Sequence, residues 1–377
     1  MATPPPSRPA FTTGGLHHVT AIAGRPQANI DFYVRVLGLR LVKRTVNYDD
    51  PETYHFYFGD AEASPGTLLT FFPWPGAGPG VRGAGETAAI ALRAPASALD
   101  AWRDRLRDHD RPFATFERFS QELVAFEDPD GTPLELVAAT ADQTADRTDN
   151  RTDDRTDDRT ERGDGPPTEI GDEGDGRPDA TPAFRRWTAS PVPQAMALGA
   201  MHSVTITAPR LDETATLLTE RFGLRSVGEE REASGAARHR FAAGGPARPS
   251  FVDLLEAPSP LPGRWGAGSI HHVAFRASDD AAHADARAAL LGAGLPVTKV
   301  KDRHYFRSIY VTEPGGAILE VATDGPGFTV DEPLDELGLA LKLPPWLEPE
   351  RTTLRGRLPV TASPEYADRW SERRSST

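Results

Sequence analysis

Apolar positions along the chain change period in a fixed order, and they do so four times. Residues 16–22 alternate in twos as a half-buried strand does, and residues 27–37 shift to the three-to-four spacing of an amphipathic helix that Gly38 ends. Strand-like runs follow near Arg40, Tyr54 and Thr67. The same order recurs from Met201, with a strand over 201–208, a helix over 213–222 closed by Gly223, and strands near Arg225, Arg238 and Ser250. Two further copies start at Thr87 and Ile270, with helices expected over 98–108 and 281–291. Each of these closes on a hairpin, through Asp-Pro-Asp-Gly at 128–131 or Glu-Pro-Gly-Gly at 313–316. The prediction is an α+β fold of four βαβββ modules.

The repeat lets equivalent positions be compared within one chain. Aligning the opening strands puts His18, Ala89, Ser203 and His272 in one column, and aligning the closing strands puts Thr70, Glu135, Asp253 and Glu320 in another. Side chains alternate faces, so Val19, Val204, Val273, Leu319 and Val321 turn toward the helices. His18, His272 and Glu320 then share the opposite, concave face. Modules one and four together offer two imidazoles and a carboxylate with Thr70 as a non-ligand. Modules two and three offer Glu135 and Asp253 without an imidazole, which predicts a structural barrel in which those acids are relics or ion-pair partners. Pairing three with four instead leaves His272, Asp253 and Glu320, a set that stays open at this point.

Composition narrows the chemistry. The 377 residues include no cysteine and ten histidines, which excludes disulfides, thiolate metal sites and cysteine nucleophiles and leaves His/Asp/Glu chemistry. The net charge of −13 is unevenly spread, since residues 142–179 hold fourteen acids and six bases. The mildly acidic remainder argues against nucleic-acid binding. No apolar run reaches the ~18 residues that span a bilayer, and the start lacks a secretory pattern, so no membrane association and a cytoplasmic location are expected. Residues 146–162 form an imperfect Asp/Arg/Thr repeat without one aliphatic or aromatic side chain. The expected organisation is a disordered head at 1–14, an N-terminal domain at 15–140, an acidic low-complexity linker at 141–196, a C-terminal domain at 197–330 and an extension at 331–377.

The openings Leu-His-His-Val-Thr at 16–20 and Ile-His-His-Val-Ala at 270–274, the run Asp-Arg-His-Tyr-Phe-Arg-Ser-Ile-Tyr at 302–310, and Ile-Leu-Glu-Val-Ala-Thr-Asp-Gly-Pro-Gly-Phe at 318–328 resemble the vicinal oxygen chelate superfamily. Within it they are similar to the ring-cleaving dioxygenases that open hydroquinones. The resemblance implies two barrel-like half-open sheets, a non-haem Fe(II) held by His18, His272 and Glu320, and Tyr310 and Arg303 on the substrate side. A two-His-one-carboxylate set leaves coordination places open for O2 and a substrate oxygen, and Mn(II) suits the same donors. Residues alone put Tyr310 opposite Glu320 if the 313–316 turn closes a regular hairpin. His17, next to a ligand, reaches the site only through a bulge. His202 is expected beside the site or at the surface, while His55, His109, His239, His283 and His304 have no evident partner.

The expected partners are a small aromatic diol of hydroquinone or catechol type and O2, with a homo-oligomer possible. Two other classes fit the fold: a glyoxalase-like isomerase or thiol transferase, which typically uses a fourth protein ligand where Thr70 stands, and a non-enzymatic binder of aromatic or antibiotic molecules.

Overall fold

The computed structural model describes residues 11–139, 184–245, 249–257 and 261–362. Four modules follow one another along the chain. The first has β1 (Leu16–Ala23), a helix (Pro26–Asp31), β2 (Arg40–Asn47), β3 (Asp50–Gly59) and β4 (Leu68–Pro73). The second has β5 (Thr87–Pro95), a helix (Leu99–Asp108), β6 (Phe113–Arg118), β7 (Gln121–Glu127) and β8 (Pro133–Ala139). The third has β9 (Met201–Ala208), a helix (Leu211–Glu220), β10 (Arg225–Arg231), β11 (Ala237–Ala243) and β12 (Ser250–Glu256). The fourth has β13 (Ile270–Ala277), a helix (Asp280–Gly292), β14 (Lys301–Asp302), β15 (Phe306–Thr312) and β16 (Ile318–Pro326).

The helix expected over 27–37 differs in form. After Asp31 it widens into a π-helical turn at Phe32–Val36, which places Phe32, Tyr33, Val34 and Val36 in the core together. Gly38 and Gly223 follow the first and third helices at φ +72° and +71°, the left-handed conformation that lets the chain turn directly into a strand.

Module pairing follows from the strand ladders. β1 runs antiparallel to β13, with His18 opposite Ala274 and Thr20 opposite His272. β5 runs antiparallel to β9 in the equivalent register, with Ala91 opposite Ser203 and Ala89 opposite Thr205. Modules one and four therefore build one half-open barrel, and modules two and three the other. The two join at Ile270 and Thr87 into a single mixed sheet. Closing strands lie parallel to opening strands, pairing Thr20 with Thr70 and Ala274 with Glu320. Val19, Val204, Val273, Leu319 and Val321 enter the main core on the convex side, as strand alternation requires.

The linker ends earlier than composition suggests. Residues 184–196 pack on module one, where Phe184 and Val192 are buried and Asp60 accepts from the Arg185 amide. Those apolar side chains are what the acidic repeat lacks. The head expected at 1–14 also ends early, since Phe11 and Thr13 are buried and the Thr13 hydroxyl donates to the Arg276 carbonyl at 2.9 Å. The repeat itself and residues 1–10 lie outside the described residues. Residues 331–362 return to module one, where the buried Lys43 ammonium donates to Asp331, Glu332 and the Phe328 carbonyl.

Candidate metal centre

The concave face of the first barrel gathers His18 from β1, His272 from β13 and Glu320 from β16. All three side chains are buried, and their ligand atoms lie within 4.8 Å of one another. His18 Nε2 lies 3.3 Å from His272 Nε2, and Glu320 Oε2 lies 3.3 Å and 2.9 Å from those two nitrogens. Oε2 nevertheless accepts no hydrogen bond, while Oε1 takes one from Ser308. Two imidazole lone pairs and a buried carboxylate oxygen aimed at one point form a donor set that a divalent transition-metal ion fits. Among the described residues this is the one such cluster.

Electrostatics favours the ligand form of Glu320 and His272. Burial alone raises the Glu320 carboxyl, but His18 and His272 beside it outweigh that and hold it well below the usual carboxylate range. His272 is lowered by burial, against the pull of Glu320, which favours the neutral imidazole a metal requires.

Each candidate ligand histidine is backed by its predecessor. His17 Nδ1 sits 2.9 Å from His18 Nδ1, and His271 Nδ1 sits 2.7 Å from His272 Nδ1. With Nε2 serving as the donor atom, the Nδ1 proton of each ligand is held by its neighbour, which fixes ring and tautomer. His17 gets there because the β1–β13 ladder is irregular between Leu16 and His18, the bulge that a regular strand lacks. Its ring packs on Phe306 and does not line the cavity. His271 does line it, and burial with His272 lowers its pKa to about 3.

His18 and His272 line a cavity of about 180 Å³, with Glu320 buried against both. Tyr48, Tyr57, Phe72, Trp74 and Phe306 form apolar wall, and Asn47, Asp49, His55, His271, Arg303 and Tyr310 add polar groups. Tyr310 lies directly opposite Glu320 in the β15–β16 ladder, its ring 5.6 Å from that of His272. Arg303 Nε donates to the Tyr310 hydroxyl at 3.2 Å, and its Nη2 donates to Asp49 at 2.8 Å.

Thr70 is not idle. Its hydroxyl bonds Thr20 at 2.7 Å and takes His55 Nε2 at 2.9 Å, while Thr20 reaches His272 Nε2 at 2.8 Å. Sequence reasoning left His55 without a partner, since the contact needs β3 beside β4. His202 is buried and bonded to Ser203 and Gln121, away from the triad. His283 bonds the Val321 carbonyl, and His304 and His239 lie near Asp331 and Glu229.

A profile of the Glyoxalase/Bleomycin resistance protein/Dioxygenase superfamily matches residues 15–136 and 200–321, one match over each pair of modules. The chain belongs to this superfamily. It is 38% identical over 351 residues to a Bacillus subtilis (strain 168) protein named as the ring-cleaving dioxygenase MhqO, covering 93% of this chain and 97% of that one. It is 33% identical over 345 residues to the chlorohydroquinone/hydroquinone 1,2-dioxygenase of Sphingobium indicum, covering 89% and 92%. A crystal structure named as a dioxygenase from Bacillus subtilis superposes with a TM-score of 0.77 at 36% identity, over 94% of this chain and 99% of that one. The superfamily and its fold are those the motifs implied.

Proposed function

We propose that the protein is an Fe(II)-dependent dioxygenase that opens the ring of a hydroquinone- or catechol-type diol with O2. The observation that carries this reading is the meeting of His18, His272 and Glu320 beneath an aromatic-walled cavity, with the non-ligand Thr70 at the fourth ligand-equivalent place. Relatives matched over about nine-tenths of both chains and named as ring-cleaving and hydroquinone dioxygenases support it. A bound Fe(II) would supply redox chemistry and open coordination places for a ring oxygen and O2.

The chain's own groups provide the rest. Burial and the Glu320 carboxylate raise the Tyr310 phenol, so near neutral pH it stays protonated and can donate to a substrate oxygen. Burial lowers Arg303, but Tyr310 and Asp49 together raise it further. Its charge by itself pulls the phenol's pKa down, against burial and Glu320, while its Nε–H orients the hydroxyl from the far side. The aromatic wall sandwiches a flat ring and keeps water from it. His17 acts in this reading only through His18. A Mn(II) form belongs to the same proposal, because manganese takes the same donors.

The test is anaerobic loading with Fe(II) or Mn(II), followed by O2-uptake assays across hydroquinones and catechols. Uptake matched by ring-opened product is expected. Metal-loaded protein that consumes no O2 with any diol would end the reading.

A further inference from the structure

Asp49 stands at the tip of the β2–β3 hairpin of module one, its amide held by the Asn47 side chain at 3.0 Å. Its carboxylate crosses to module four and takes Arg303 at 2.8 Å and Lys301 at 3.0 and 3.1 Å. The Asp49 side chain is 55% exposed while also lining the cavity, so this bridge marks where the cavity meets solvent. Among the described residues Arg303 is the one Lys or Arg side chain in the cavity wall, and its own side chain is only 15% exposed.

From this geometry we infer that Asp49 is a specificity-determining and positioning residue that selects ring diols without an anionic substituent. The inference rests on the ring-diol reading above. An unpaired Arg303 with Lys301 beside it is a fork that a ring carboxylate fits well, through charge-assisted hydrogen bonds. Asp49 already fills that fork. A carboxylated diol must therefore give up its hydration beside a spent cation and a second carboxylate, whereas an uncharged diol meets only aromatic wall and neutral donors. The same bridge keeps Arg303 turned onto the Tyr310 hydroxyl, where the uncharged substrate uses it.

The test compares methylhydroquinone with 2,5-dihydroxybenzoate, the same ring diol bearing a methyl or a carboxylate. Binding to the Fe(II)-loaded protein is followed anaerobically by the quenching of tryptophan fluorescence, with Trp74 in the cavity wall as reporter. The wild type is expected to prefer the methyl compound by about tenfold or more. Asp49→Asn is expected to tighten the carboxylate by about tenfold and weaken the methyl compound, Asp49→Glu to restore the wild-type ratio, and Asp49→Asn with Arg303→Leu to lose the carboxylate gain. An Asp49→Asn protein with unchanged melting temperature and an unchanged ratio overturns the inference and leaves the dioxygenase reading standing. A wild type that binds the carboxylate as tightly as the methyl compound, or binds neither, also overturns the inference, while the dioxygenase reading falls only if the O2-uptake assay fails with every diol.

Discussion

Arg240 grips Asp253 through two hydrogen bonds of 2.8 Å, one to each carboxylate oxygen, inside the barrel built by modules two and three. Asp253 holds the register place of Thr70 and lies buried; Arg238 also reaches it, and Arg118 pairs with Glu135, the counterpart of Glu320. Guanidinium groups thus neutralise the carboxylates of a barrel without a two-imidazole site. Arg240→Met is expected to cost about 1.5–3 kcal/mol, because it removes the two-pronged partner of a buried carboxylate and leaves it only Arg238 at 3.4 Å. Arg240→Met with Asp253→Leu should recover most of that loss, while loading of the iron proposed for the other barrel stays at wild-type stoichiometry in both. Urea unfolding and metal analysis check the two statements.

Ser308 offers a sharper probe of the metal proposal than the ligands themselves. Its buried hydroxyl donates to Glu320 Oε1 and aims Oε2 at the two imidazoles. Ser308→Ala is expected to keep the fold and weaken iron binding by roughly 10–100-fold. Competition with a chelator reads the affinity directly. Unchanged affinity would show that Glu320 needs no such support.

The modules and the face shared by His18, His272 and Glu320 were legible because each follows from a period of two counted along a repeat. The pairing of modules rested on donor count and stayed open until the β1–β13 and β5–β9 ladders decided it. Tyr310 opposite Glu320 was legible for the same reason, as one turn sets the register of a two-strand hairpin. Ser308, His55 and Asp49 were not. Each matters through a hydrogen bond to another strand or module, and nothing local to Asp49 signals that Lys301 and Arg303 arrive beside it. His271 could have been found by treating the second doublet as a copy of the first, since both make the same Nδ1 to Nδ1 contact. The π-helical turn at Phe32–Val36 escaped because its apolar spacing reads as an ordinary helix.

Lys43 ties the C-terminal extension to the first module. Its fully buried ammonium bonds Asp331 at 2.6 Å and also Glu332, itself 3% exposed, while the Asp331 carboxylate accepts from the Tyr305 hydroxyl at 2.9 Å. Lys43→Met strands a buried carboxylate and is expected to cost about 3–5 kcal/mol. Because the contact is what anchors residues 331 and 332, limited proteolysis should cut the variant near residue 331 faster than the wild type. Equal cutting rates would show that the extension is held by its other contacts, such as Trp346 against Tyr48.

Asp128 makes stability depend on pH far from the triad. Its carboxyl accepts from the Tyr33 hydroxyl at 3.0 Å and from the amides of Asp130 and Thr132 at 2.8 Å each. Burial still dominates and pushes its pKa from 3.8 up to about 6. A folded-state pKa above the unfolded one means that the protonated form is the one the fold favours. The stability this lends is complete below the unfolded pKa, declines as pH rises, and is gone once pH passes about 6. Asp128→Asn keeps the side-chain carbonyl for the two amides and removes the ionisation. The stability of the wild type relative to Asp128→Asn should therefore fall by about 2 kcal/mol between pH ~4 and pH ~7, and level off above that. Paired urea titrations across that range measure it. A difference independent of pH would mean that Asp128 ionises in the fold as freely as in the unfolded chain.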